Sequence, residues 1–169
     1  VLIMNSPSNP TGAVFSEGEI RTAVDFAERH DLFILSDEAY DRMIFDGVHI
    51  SPRCFDTSGR VVSCYSFSKT YSMAGWRIGF LVAPVEVTAV MTKMQEVFVA
   101  CASSVSQKAA EAAIDGPQVV VSSMVDFYRG NRDTAARLLT KAGIHFIRPE
   151  GAFYIFPNIS KLIQTTNHL

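Results

Sequence analysis

Two short apolar runs with no polar break, residues 1–4 (Val-Leu-Ile-Met) and 32–35 (Leu-Phe-Ile-Leu), enclose a segment of helical periodicity. That order restricts the fold more than any other feature of the chain. Unbroken apolar runs of this length predict strands buried on both faces, as in parallel sheets. Between them Ser16 and Glu19 spell a Ser-x-x-Glu capping box, and Ile20, Ala23, Val24 and Ala27 recur on one face up to His30. Strand, helix, strand in this order predicts a right-handed parallel crossover. A third strand is expected over residues 61–65. A fourth, over 78–83, follows too soon for a long crossover and is therefore expected to run antiparallel. The fold class is α/β, a mostly parallel sheet with flanking helices.

In such sheets ligands bind beyond the carboxyl ends of the strands. Asn9, Asp37, Tyr40 and Lys69 all fall on that rim. The richest stretch is residues 66–79, Ser-Phe-Ser-Lys-Thr-Tyr-Ser-Met-Ala-Gly-Trp-Arg-Ile-Gly, which follows the third apolar run. Its lysine is a candidate nucleophile, because lysine amines condense with aldehydes to give Schiff bases when seated in a partly desolvated place. Ser66, Ser68 and Arg77 form a candidate anion site, the guanidinium fork gripping two phosphate oxygens. An aldehyde cofactor that carries a phosphate, pyridoxal 5'-phosphate, meets both demands. Ser66-x-x-Lys69 also spells the Ser-x-x-Lys of serine acyl-enzymes, but the Lys-Thr-Gly strand which that chemistry requires is not in the sequence.

Ser-x-Ser-Lys followed by Gly-x-Arg-x-Gly resembles the cofactor-lysine motif of the fold-type I pyridoxal-phosphate enzymes, specifically the class I/II aminotransferases. Asn9-Pro10-Thr11-Gly12, Ser36-Asp37-Glu38-Ala39-Tyr40 and Pro149-Glu150-Gly151-Ala152-Phe153-Tyr154 agree with the same family in order and rough spacing. The Trp76-Arg77-Ile78-Gly79 spelling is most similar to the aspartate-aminotransferase-like branch. Asn-Pro-x-Gly alone is a generic turn signal; four motifs in the family's order span nearly the whole chain.

The resemblance implies a role for each rim residue. Lys69 would hold the cofactor aldehyde and then serve as the base that moves a proton from the substrate's α-carbon. Asp37 would keep the pyridine nitrogen protonated, and Tyr40 with Asn9 would bond the ring oxygen. Ser66, Ser68 and Arg77 would anchor the phosphate. The activity implied is transfer of an amino group between an amino acid and a 2-oxo acid, by a cytoplasmic homodimer. A regulatory module of the same fold, or a carbon–sulfur lyase or synthase using the same cofactor, could carry these residues too. Retention of Lys69, Asp37, Tyr40 and Arg77 together favours the enzyme.

Composition agrees with a core-forming chain: of 169 residues 48% are hydrophobic, and the net charge is −2. There is no basic face for nucleic acid, no apolar run near the roughly 20 residues of a membrane span, and no expected metal site. Cys54, Cys64 and Cys101 make an odd count in apolar or small-residue settings, which predicts reduced thiols. The start at Val1 and the stop at Leu169 within a new apolar stretch suggest a piece of a longer protein, inactive in isolation. Residues 1–117 are expected to be the later part of a cofactor-binding large domain, 118–143 a long interdomain helix, and 144–169 the start of a small α+β domain.

Within that frame the loop 47–59 is polar, and His49 in it is expected at the surface. A helix over 86–98 carries Val90, Met91, Met94 and Val97 as an apolar stripe, its methionines serving as core filler. The long helix places Arg129, Arg132, Arg137 and Lys141 on a charged face and ends at Gly143. Residues 144–147 and 152–156 are expected to be strands.

Overall fold

The protein is described by a computed structural model in which residues 1–160 and Ile163 are placed. Four strands make one sheet in chain order: β1 (Leu2–Asn5), β2 (Ile34–Asp37), β3 (Val61–Ser66) and β4 (Gly79–Val82). The first three are parallel and β4 is antiparallel to β3, as the spacing predicts. β2 starts two residues later than expected, because the Leu32 N–H still bonds the Ala27 carbonyl at the end of the preceding helix. Asp37 thereby becomes its last residue.

Helix α1 (Glu17–Arg29) begins with the Ser16–Glu19 capping box, both reciprocal bonds being formed. It buries Ile20, Val24 and Ala27 against Met4, Ile34 and Val61 of the sheet. Full burial of an aliphatic side chain of this size contributes about 1.5–3 kcal/mol, so this face fixes β1, β2 and β3 relative to one another. After β3 the chain makes a single helical turn, α2 (Phe67–Thr70), which carries Lys69.

Helix α3 (Val85–Phe98) corrects one expectation, for it contains no buried residue. Met94 is 52% exposed and Val97 83%, so the methionines are not core filler here. Periodicity records which residues share a face and is silent on what covers it. Val87 and Met91 alone of this helix line a cavity of about 300 Å³ against Leu35 and Val62.

Helix α4 (Ser104–Asp115) and helix α5 (Val119–Lys141) are joined by Gln118, whose amide donates to the carbonyls of Ala113, Ile114 and Gly116. These are orphan carbonyls of a helix end, satisfied by one side chain. α5 ends as expected, with Gly143 in the left-handed region and the Ile144 N–H returning to the Leu139 carbonyl. Arg132 departs from the charged-face expectation and is buried. Its guanidinium lies 5.0 Å from the Phe45 ring centroid, donates to the Pro149 carbonyl at 2.9 Å, and pairs with Asp46 and Asp133. A buried cation is tolerated when paired in this way, and these bonds tie α5 to two loops that lead to the rim.

Near the end of the described chain β5 (His145–Phe146) pairs antiparallel with β6 (Pro157–Asn158). Residues 152–156 are not the strand their alternation predicts. Ala152 adopts a left-handed φ of 55° and its N–H bonds the Met43 carbonyl, which takes the segment away from strand pairing. Of the expected small-domain span 144–169, residues 161, 162 and 164–169 lie outside the described residues.

Candidate active site

Parallel pairing brings the ends of β1, β2 and β3 to one rim, with Asn5 opposite Asp37 and Asp37 opposite Cys64. Asn5 joins the first two: its Nδ2 donates to the Asp37 carbonyl at 3.3 Å, and its Oδ1 accepts the Asn9 N–H at 2.7 Å. Asn5 is a site residue that sequence reasoning passed over; its only signal is that it ends an apolar strand with a polar side chain.

The loop after β1 is held from the far end of the chain. Gly12 has φ +72°, and a Cβ there would lie 2.4 Å from the Pro149 Cβ. Only glycine allows both the left-handed turn and this approach. Its carbonyl accepts the N–H groups of Glu150 and Gly151, each at 2.9 Å, while the Glu150 carbonyl accepts from Phe45 and Asp46. Three segments distant in sequence are thereby stitched, and Phe153 and Tyr154 arrive beside Tyr40.

Tyr40 is buried, its ring 5.3 Å from that of Phe153 in an edge-to-face pair. Its hydroxyl lies 2.6 Å from that of Tyr154, which also accepts from Asn9 Nδ2 at 3.4 Å. Burial first, and then the bond with Tyr154, pushes the Tyr40 phenol well above the ordinary tyrosine range. The Lys69 amine lies 5.8 Å from the Tyr40 ring centroid and 5.4 Å from that of Phe153. The amine thus lies beside this aromatic pair.

Asp37 and Glu38 are neighbours with opposite surroundings. Asp37 is exposed, and among the described residues its carboxylate accepts only the Ala39 N–H, at 3.2 Å. Glu38 is 1% exposed and accepts from His49 Nε2 at 2.8 Å, Ser51 Oγ at 2.8 Å and Tyr65 Oη at 3.1 Å. Burial raises the Glu38 carboxyl, but the bonds from His49, Ser63 and Ser51 outweigh it and hold the group below its ordinary 4.5. His49 therefore corrects the surface expectation: its side chain is 13% exposed and serves as a partner of Glu38. A histidine in a polar loop has no local mark that separates these cases.

On the anion side, Ser66 caps α2, its Oγ accepting the Ser68 N–H at 3.2 Å. The Phe67 N–H bonds the Ile78 carbonyl, so the chain beside Arg77 runs next to Ser66. Arg77 is exposed, has φ 51°, and donates Nη1 to the Ala74 carbonyl at 3.0 Å. A non-glycine residue in this region costs about 1 kcal/mol or more and is characteristic of functional segments. Cys54 and Cys101 are exposed and Cys64 is half-buried, all three as free thiols. Among the described residues no cluster of His, Cys, Asp or Glu could hold a metal, and no helix is long and apolar enough to cross a membrane.

A mostly parallel sheet thus gathers an amine, a carboxylate, a phenol and an amide on its carboxyl rim, an arrangement of the fold-type I class. The chain belongs to the class I and II aminotransferase family, whose profile matches residues 1–168. It is 40% identical over 167 residues to a probable aspartate aminotransferase of Methanocaldococcus jannaschii, covering 95% of this chain and 44% of that protein. It is 35% identical over 168 residues to an asparagine–oxo-acid transaminase of Streptococcus mutans, covering 97% of this chain and 43% of that one. An aromatic aminotransferase crystal structure from Pyrococcus horikoshii superposes with a TM-score of 0.89 at 38% identity, over 92% of this chain and 43% of that one. The chain thus spans less than half the length of these relatives.

Proposed function

We propose that this chain carries the catalytic lysine and much of the cofactor site of a pyridoxal-phosphate-dependent aminotransferase that exchanges an amino group between an amino acid and a 2-oxo acid. The observation that carries the reading is the seat of Lys69, an amine beside a pair of aromatic rings on the same strand-end rim as the carboxylate of Asp37.

The residues present fit the cofactor. The Asp37 carboxylate has one backbone donor and capacity for another, which suits it to hold a proton on a pyridine nitrogen. Tyr40 and Asn9 bring an O–H and an N–H to one place, suited to a phenolic ring oxygen. Ser66, Ser68 and Arg77 supply hydroxyls and a guanidinium for a phosphate, and Arg77 spends one donor on Ala74. When bound, pyridoxal phosphate supplies an aldehyde for the lysine and a ring that withdraws the charge left at a substrate's α-carbon.

The chain's own residues then have distinct work. Lys69 Nζ would hold the cofactor's aldehyde and, when free, would act as the base that moves the substrate's α-proton. Asp37 would offer its carboxylate to the ring nitrogen and so favour the proton there. Tyr40 and Asn9 would stabilise negative charge on the ring oxygen, which would lower the proton affinity of the lysine nitrogen linked to the cofactor. Within the same reading we assign residues 1–117 to the large domain, 118–143 to the interdomain helix and 144–169 to the small domain, and the whole protein to a cytoplasmic homodimer. The family match and the four motifs in the family's order support the aminotransferase reading within which these assignments are made.

The test is chemical. The full-length protein with pyridoxal phosphate, treated with borohydride and mapped by peptide, is expected to carry the reduced label on Lys69. A label on Lys93 or Lys108, or on no lysine, overturns the reading.

A further inference from the structure

Tyr154 reaches the rim from the far end of the chain and carries no role so far. Its Oη lies 2.6 Å from Tyr40 Oη and 3.4 Å from Asn9 Nδ2, so it contacts both groups assigned to the cofactor's ring oxygen. The proton count bears on what it does there. An amide nitrogen only donates, so the Tyr154 oxygen is the acceptor of the Asn9 bond. Tyr154 has a single proton of its own. Either hydroxyl can be the donor of the 2.6 Å bond, at the short end of the O–H···O range, and in one of the two arrangements Tyr154 gives that proton to Tyr40 Oη. With that bond made, the Tyr40 proton is left for a third group on the rim. A phenol that accepts one hydrogen bond also donates a stronger one, by roughly 10–30% per bond in a chain.

The position of the hydroxyl is held from several sides. The Phe153 ring stacks on Tyr128 of α5 at 5.3 Å and meets the Tyr40 ring edge-on, while the Tyr40 and Tyr154 rings are 5.7 Å apart at 79°. The Ala152 N–H is fixed by the Met43 carbonyl, and the preceding turn by Gly12. The charged groups near the pair are Asp37 from the end of β2 and Lys69 from α2; from α5, Tyr128 stacks on Phe153 and Arg132 lines the same cavity as Tyr154.

We propose that Tyr154 is a positioning residue of the cofactor rim, one that gives its proton to Tyr40 and thereby aims the Tyr40 proton at the ring oxygen of pyridoxal phosphate. The proposal rests on the aminotransferase reading and adds to it a residue that acts through Tyr40. A tyrosine that merely packs would be replaced by phenylalanine without electronic effect.

The experiment is a pH titration of the visible absorbance of the Lys69-linked cofactor in the full-length protein, for the parent, Tyr154→Phe, Tyr40→Phe and the double variant. Tyr154→Phe keeps the ring and loses the hydroxyl. It is expected to raise the proton affinity of the linked lysine nitrogen about threefold to tenfold, ~0.5–1 unit on the pH axis. Tyr40→Phe should raise it further, and the double variant should titrate like Tyr40→Phe alone, since groups that act through one another are not additive. In the cofactor-free protein, where no ring oxygen takes its proton and Tyr40 can donate to Tyr154 instead, Tyr154→Phe should bring the alkaline titration of Tyr40 to lower pH, because the bond that helps hold that phenol high is gone.

A Tyr154→Phe midpoint equal to the parent's, or lower, overturns the proposal while leaving the aminotransferase reading intact. So does a double variant that differs from Tyr40→Phe by the full single effect. A parent with no cofactor on Lys69 overturns that reading and this proposal with it.

Discussion

Two polar clusters flank the end of β2, and adjacent residues belong to different ones. On the rim, Asp37 shares its surroundings with Asn5, Asn9, Tyr40, Tyr154 and Lys69 and has one hydrogen-bond donor. On the buried side, Glu38 gathers His49, Ser51 and Tyr65 around a carboxylate that water does not reach. The alternation of an extended chain turns neighbouring side chains to opposite faces, so one step along the backbone changes a free charge into a saturated one. A carboxylate whose lone pairs are filled by the protein is an anchor; one that keeps them unfilled is available to a ligand. The Glu38 cluster holds the loop 47–51 to the strand end, and Asp37 and Tyr40 are presented by that strand end.

The comparison is broken most directly at Asp37. In the full-length protein Asp37→Asn is expected to lower the transamination rate at least about a hundredfold, ~2.7 kcal/mol or more in barrier. Its thermal midpoint should stay near the parent's, because the Ala39 N–H can bond the amide oxygen instead. A rate within threefold of the parent would remove Asp37 from the chemistry.

The converse is expected at Glu38. Glu38→Ala strands three donors in a buried place, and unsatisfied donors of this kind cost about 1–3 kcal/mol, to be read from denaturant midpoints. Equal midpoints for Glu38→Ala and Asp37→Asn would erase the distinction between anchor and ligand group.

The smallest effect is on acid stability. The Glu38 carboxyl is held below its ordinary 4.5 in the folded state. Its contribution is therefore complete above that value and is lost as pH falls through the lower folded one. Stability measured from about pH 5 downward should fall more steeply in the parent than in Glu38→Gln. Parallel curves would show that the cluster does not favour the charged form.

How much of this was legible differs from residue to residue. Lys69, Asp37 and Tyr40 could be placed on the rim because each follows a strand-like run by a fixed short interval. Asn5 and Tyr154 could not be given roles, since their partners lie 4 and 32, or 114 and 145, positions away. His49 was misplaced for the same reason: its partner Glu38 is 11 positions back, across a loop without periodicity.

The sequence by itself determined the crossover order, the antiparallel fourth strand, the capped start of α1 and the left-handed end of α5. Each follows from contacts or dihedral preferences within a few residues, and β4 had no chain length to return in parallel. Only the tertiary structure decided which apolar faces are covered, so that α1 is buried on the sheet and α3 is not, although both carry helical stripes. It also decided that Arg132 and Glu38 are interior charges with partners, that residues 152–156 leave strand geometry, and that Tyr154 meets Tyr40. Burial and hydrogen-bond partnership are set by what approaches from distant parts of the chain, and local periodicity holds no record of that approach.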